Sequence, residues 1–222
     1  MDFKAVLFDL DGTLLDTLED ISLSMNAVLS RHGFPTHDMD AYRYFVGDGA
    51  GMLVRRAIPE RIQDEEIVGK YIKEFLDGYD GGQNLNTRPY PGIEETLNGL
   101  SERRIRLAIL SNKPHKATID FVTKFLGKWK FDIVFGERDG VPRKPDPAGA
   151  LQVARFFELE SRKILYVGDT GVDMKTAVAA GMYPVGALWG FRSRDELENS
   201  GAKVMIKRPQ EILEIVDYGG NE

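Results

Sequence analysis

Five short apolar runs, at residues 106–110, 131–135, 164–167, 182–187 and, more weakly, 203–206, alternate with segments of helical periodicity through the carboxyl-terminal part of the chain. This alternation restricts the fold more than any other feature. A strand that is apolar throughout, rather than at every second residue, is covered on both faces; strands separated by helices run parallel, and the helices supply that cover. Asp146-Pro147 reads as an N-cap followed by a first-position proline, opening a helix through Leu151, Val153, Ala154 and Phe157, and Pro209 opens the last helix similarly. One further apolar strand is expected near the amino terminus, at residues 4–9.

After that first strand the pattern becomes helical. Leu18, Ile21, Met25, Val28 and Leu29 give the spacing of a helix over residues 17–31, which Gly33 closes and Pro35 prevents from continuing. A second helix is expected over 64–79, with Ile67, Val68, Tyr71, Ile72, Phe75, Leu76 and Tyr79 in one stripe and Glu65 and Glu66 at the positive end of its dipole. Gly81-Gly82-Gln83-Asn84-Leu85-Asn86 is the best linker. The expected fold class is therefore α/β: a doubly wound parallel sheet built from residues 1–15 and 87–222, carrying a small helical insertion at 16–86.

Composition narrows the function. At 222 residues and 42% hydrophobic content the chain can bury a sizeable core. No apolar run approaches the roughly 18 residues of a spanning helix, and no basic region followed by an apolar stretch opens the chain. A cytoplasmic protein without membrane contact is expected. Cysteine is absent, so any metal is held by oxygen or histidine, and His32, His37 and His115 show no ligand spacing. A net charge of −6 argues against a nucleic-acid partner but leaves a small anionic substrate open, as it does the choice between monomer and homodimer.

In a doubly wound sheet, ligands bind beyond the carboxyl ends of the strands. The first strand ends in Asp9-Leu10-Asp11-Gly12-Thr13; if extended backbone persists past Phe8, the period of two projects Asp9 and Asp11 to one side. Paired acids there can supply a carboxylate nucleophile, a neighbouring general acid and oxygen ligands for a hard cation. Ser111 and Asn112 follow the next strand, Lys144-Pro145-Asp146-Pro147 comes after the third, and Asp169 and Asp173, at helical spacing, follow the fourth. Acids, a hydroxyl and a lysine at one sheet edge would form a cation site beside a phosphate site.

These stretches, in this order, resemble the haloacid dehalogenase-like phosphohydrolase superfamily, and within it the chain is most similar to the phosphoglycolate phosphatase branch. Val46-Gly47-Asp48-Gly49-Ala50, Asn112-Lys113-Pro114 and Trp189-Gly190-Phe191 support the second likeness. The resemblance implies a Rossmann-like core with a helical cap. It further implies that Asp9 attacks phosphorus to form an aspartyl phosphate, while Asp11 protonates the leaving alkoxide and later deprotonates water. Mg2+ would be held by Asp9, the Asp11 carbonyl and Asp169, with Asp173 orienting a water ligand. Ser111, the Gly12 backbone and Asn112 would hold phosphoryl oxygens, and Lys144 would offset their charge.

The expected substrate is a small phosphorylated metabolite, foremost 2-phosphoglycolate, with Gly47, Asp48 and Gly49 of the cap loop approaching it on closure. Asp11 favours phosphate over halide chemistry. By the same resemblance, a phosphosugar mutase would carry a histidine and basic residues at the positions of Ile21, Val46 and Ala50. Inorganic pyrophosphate or several sugar phosphates are the nearest alternative substrates, and a non-catalytic binding protein on the same fold is the alternative of a different class.

Overall fold

The computed structural model describes residues 2–62, 64–82 and 84–219. Its six-stranded sheet has the order β5-β4-β1-β6-β7-β8, every pairing parallel, with β1 (Ala5–Phe8), β4 (Arg106–Pro114), β5 (Ile133–Glu137), β6 (Ile164–Gly168), β7 (Tyr183–Ala187) and β8 (Val204–Ile206). The fold is the expected one: an α/β doubly wound sheet with an inserted helical cap.

The pleat explains why these strands read as continuous apolar runs. Val6, Phe8, Leu107, Ile109, Leu165 and Val167 join one buried cluster, while Ala5, Leu7, Ala108, Leu110, Ile164 and Tyr166 join another. The first cluster lies under α5 (Ile93–Glu102), α6 (His115–Leu126) and α10 (Glu211–Tyr218), and the second under α7 (Ala148–Phe157) and α8 (Gly171–Ala179). β1 pairs with β4 on one side and β6 on the other, Phe8 standing opposite both Ile109 and Val167. The chain therefore reverses its direction across the sheet beside β1, which is where such folds open a crevice.

Between β2 (Leu15–Asp16) and β3 (Arg88–Pro89), which form a two-residue antiparallel ribbon, lie α1 (Leu18–Arg31), α2 (Met39–Phe45), α3 (Ala50–Ala57) and α4 (Glu65–Asp80). The five apolar residues that define the α1 spacing are all buried. Asp64 caps α4 by accepting from the N–H groups of Glu66 and Ile67. A short helix, α9 (Arg194–Asn199), connects β7 to β8. No helix is long and apolar enough to cross a membrane among the described residues.

Several boundaries differ from the sequence reading. The ribbon holds Asp16, which had been expected to open the helical segment. β4 continues past residue 110 to Pro114, with a register irregularity between Leu110 and Pro114. β5 begins two residues late because Asp132 is used to enter it, donating its N–H to the Leu107 carbonyl at 2.8 Å and accepting the Leu107 N–H at 3.2 Å. Asp146 does accept from the Ala148 N–H at 2.8 Å, although regular helix starts only at Ala148. Gln83 of the expected linker lies outside the described residues.

The two crossings of the helical segment are tied by one buried carboxylate. Asp20 accepts from the Thr87 N–H at 2.7 Å, the Thr87 hydroxyl at 2.6 Å and the Asn86 side-chain amide at 3.0 Å. Asp20→Ala leaves these donors without an acceptor and is expected to lower the unfolding free energy by about 3 kcal/mol in a urea titration. A loss below about 1 kcal/mol would mean that water replaces the carboxylate.

Candidate active site

Beyond Phe8 the ladder continues for one residue, the Asp9 N–H donating to the Val167 carbonyl at 2.9 Å. The chain then turns, with the Leu10 carbonyl accepting from the N–H groups of Leu14 and Leu15. Asp9 and Asp11 nevertheless both line one cleft between the sheet edge and the cap, although the backbone between them is not the extended strand that the period of two assumes.

Carboxylate oxygens of Asp9, Asp169 and Asp173 lie within 4.8 Å of one another, all three residues buried. Lys144 Nζ binds Asp9 Oδ1 at 2.8 Å and Asp173 Oδ1 at 2.6 Å. The second Asp173 oxygen accepts from the Thr170 N–H and hydroxyl at 3.1 and 2.6 Å, closing a capping box at the start of α8. Thr170 is thus the helix cap. Asp169 accepts from the Thr13 hydroxyl at 2.9 Å and the Phe191 N–H at 2.8 Å, and Trp189 Nε1 donates to the Thr13 carbonyl at 2.9 Å. Gly12 has φ +86°, and a Cβ there would stand 2.3 Å from Asp169 Oδ2; a side chain would displace the acid.

Three buried carboxylates face one ammonium, which leaves two negative charges unbalanced when all are ionised. Burial, then the Asp173 charge, raises Asp9 well above the ordinary carboxylate range, against the pull of Lys144. Burial and Asp173 likewise push Asp169 up to about 7. Burial disfavours the charged form of Lys144, but Asp173 and Asp9 outweigh it and hold the ammonium protonated. A compact set of hard oxygen donors with a net charge deficit fits a hard divalent cation, and these residues can bind a metal.

Asp11 does not join that cluster through its side chain. Its oxygens accept from Lys113 Nζ at 3.0 and 3.2 Å. Ser111 lines the cleft and accepts the Lys113 N–H through Oγ, keeping its hydroxyl hydrogen to give. Asn112 differs from expectation: Nδ2 donates to the Gly47 and Lys144 carbonyls, both at 3.1 Å, and Oδ1 accepts the Lys144 N–H at 3.0 Å. Both amide hydrogens are committed, so it positions Lys144 and the cap loop instead of holding a phosphoryl oxygen. The Gly12 N–H is committed to the Leu15 carbonyl at 2.9 Å, whereas those of Leu10 and Asp11 have no acceptor among the described residues. Gly47 and Gly49 line the cleft, but Asp48 turns away to pair with Arg56 at 2.6 Å.

Thr13, Lys113 and Thr170 stand in or beside the motifs, but the sequence assigns none of them a role of its own. The Thr170-x-x-Asp173 capping box was readable, but the Lys113 contact joins residues 102 positions apart and has no local signal. The cap loop is fastened through its backbone: besides Asn112 on the Gly47 carbonyl, Arg192 donates to that of Val46 at 2.9 Å and Arg143 to that of Asp48 at 3.3 Å.

The pattern of a family described as haloacid dehalogenase-like hydrolase matches residues 6–187. The chain belongs to that family. It is 32% identical over 218 residues to a phosphoglycolate phosphatase of Pseudomonas putida, covering 95% of this chain and 78% of that one. It is 28% identical over 214 residues to a phosphoglycolate phosphatase of Aquifex aeolicus, covering 96% and 97%. A crystal structure of a predicted phosphoglycolate phosphatase from Haemophilus somnus superposes with a TM-score of 0.89 at 29% identity, covering 97% and 98%. The protein is a haloacid dehalogenase-like phosphatase, and its substrate is a small phosphorylated molecule.

Asp169 ionises less readily in the folded chain than in the unfolded one, so the free acid form stabilises the fold at low pH and this contribution is lost as pH rises from the ordinary 3.8 towards about 7. In chelator, Asp169→Asn should melt above the parent chain at neutral pH and show a flatter pH dependence over that interval. Asparagine can still accept from Phe191 and donate to Thr13. An unchanged profile would show that Asp169 carries no such penalty.

Proposed function

We propose that this phosphatase hydrolyses 2-phosphoglycolate with Mg2+ as its cofactor, through an aspartyl phosphate on Asp9, and that residues 16–86 close over the substrate as a cap. The observation that carries the reading is the Lys144 ammonium gripped between Asp9 and Asp173 beside Asp169, with a second carboxylate, Asp11, in the same cleft.

Lys144 fixes Asp9 Oδ1 and leaves Oδ2 without a protein hydrogen bond among the described residues. Asp9 attacks phosphorus, the bond from phosphorus to the ester oxygen breaks, and Asp11 delivers a proton to the departing alkoxide. Water then attacks the aspartyl phosphate while Asp11 takes back a proton, releasing inorganic phosphate and restoring Asp9. Ser111 and the unpaired N–H groups of Leu10 and Asp11 are the donors for the phosphoryl oxygens, and Lys144 balances charge as it builds there. Asp9, the Asp11 carbonyl and Asp169 would hold Mg2+, which when bound neutralises phosphoryl charge. Asp173, committed to Lys144 and Thr170, supports that site from outside.

The names of the relatives support phosphoglycolate as substrate. Ile21, Val46 and Ala50 line the cleft, so aliphatic side chains occupy the positions where a mutase would need a histidine and basic residues. Phosphate release from 2-phosphoglycolate, pyrophosphate and a panel of sugar phosphates, with and without Mg2+, tests the reading. Highest kcat/KM for phosphoglycolate is expected, and Asp9→Asn should cut turnover by a factor on the order of 10^4 or more. Preference for pyrophosphate or sugars would keep the chemistry and replace the substrate. In kcat/KM, which reports phosphoryl transfer to Asp9 and not the later hydrolysis that also uses Asp11, Asp11→Asn should lower alkyl phosphates by roughly 10^2- to 10^4-fold and p-nitrophenyl phosphate, whose leaving group needs no proton, far less. Equal losses on both would remove Asp11 from the general-acid role.

A further inference from the structure

Lys113 is a costly residue to place where it is. Its side chain is 6% exposed, its ammonium lies 4.5 Å from the ring centre of Tyr79 in the cap and 4.3 Å from that of Phe121 in the core, and those two rings are stacked. Its three hydrogens meet the two Asp11 oxygens and, at 3.2 Å, the Tyr79 hydroxyl. A methionine would fill this aromatic slot without the desolvation of a charge, so packing alone does not account for a lysine.

Its place on the cleft wall does. Among the described residues, Lys113 and Lys144 are the cations that line the cleft, and Lys144 is held between Asp9 and Asp173. The cap contributes mainly apolar lining, including Leu53, Phe75 and Leu76. Such a surface leaves sugar hydroxyls without partners, whereas one anionic group beside the phosphoryl group finds an ammonium and a tyrosine hydroxyl together. Arg55 and Arg56 of the cap pair with Glu65 and Asp48.

We propose that Lys113, assisted by the Tyr79 hydroxyl, is the specificity-determining residue for a second anion on the substrate, a carboxylate one carbon from the ester oxygen. The proposal rests on the phosphatase reading above and adds the group that selects the leaving portion. On binding, the substrate carboxylate replaces Asp11 as the partner of Lys113, and Asp11 becomes available to the ester oxygen. Anion recognition and placement of the general acid are thereby one exchange. A phosphate ester whose alkyl portion is uncharged provides no group to make it. Because Tyr79 comes from the cap and Lys113 from the core, the same anion also bridges the two.

The test compares 2-phosphoglycolate with ethyl phosphate, which differs by a methyl group in place of the carboxylate. In Lys113→Met the ratio of kcat/KM values for the two esters should fall about 10- to 100-fold, chiefly through KM for phosphoglycolate, and Lys113→Arg should recover part of it. Calorimetric titration supplies a readout without turnover: 3-phosphonopropionate should lose affinity for Lys113→Met while propylphosphonate does not. Equal loss on both esters, or on both phosphonates, overturns the proposal and leaves Lys113 as a support for Asp11. Tyr79→Phe, which keeps the stacked ring, should lower the same ratio about threefold, and an unchanged ratio there overturns the proposal should Lys113→Met not fold. If the parent enzyme hydrolyses neither ester, the function proposed above fails, while the phosphonate titration still decides the role of Lys113.

Discussion

The ammonium of Lys144 lies between two buried carboxylates, and much of the architecture is arranged to put it there. Asp9 ends the central strand, Asp173 stands in the first turn of the helix after the neighbouring strand, and Lys144 arrives from the loop after the edge strand β5. Three remote segments therefore meet at one charge, which only a settled sheet register and Asn112, bonded to both the N–H and the carbonyl of Lys144, can arrange. Buried ions of this kind are a poor source of stability, because desolvation consumes most of the Coulombic gain. They are retained where an uncompensated negative field has a use, and here the excess of carboxylates over ammonium creates one.

The parts of this arrangement that could be read from the sequence are those with local causes. Continuous apolar runs set the strands, because each is covered on both faces, and the rule that ligands gather beyond strand ends singles out Asp9, Asp11, Ser111, Lys144 and Asp169 from the sequence. Strand ends were less legible. The irregularity after Leu110 prolongs β4 through polar residues that no hydrophobic pattern would include, and the β2–β3 ribbon is too short to have a pattern at all. Tertiary commitments were invisible. Nothing near Asn112 says that its amide is spent on the Gly47 and Lys144 carbonyls, and nothing near Gly12 says that its N–H belongs to Leu15.

The helical insertion shares its apolar cluster with the sheet: Ile21, Met25 and Phe75 pack in the same buried group as Phe8 and Ile109. Cap and core are thus joined by burial at the ribbon and the Tyr79–Phe121 stack, and by hydrogen bonds around the rim of the cleft. Asp20, at the point where the chain leaves the core, binds the residues by which it returns. That clamp holds the base of the insertion, while its rim meets the core through single polar contacts.

The rim contacts share one property. Asn112, Arg143 and Arg192 all bind main-chain oxygens of the loop at residues 46–48, so these contacts do not depend on the side chains of Val46 and Asp48, whereas Gly47, at φ +117°, has to stay without one. Replacement at Val46, whose side chain lines the cleft, can alter what the enclosed volume accepts without removing these contacts. What the loop presents to the cleft and what ties it to the core are therefore separate in this chain, the first a side chain and the second the main chain.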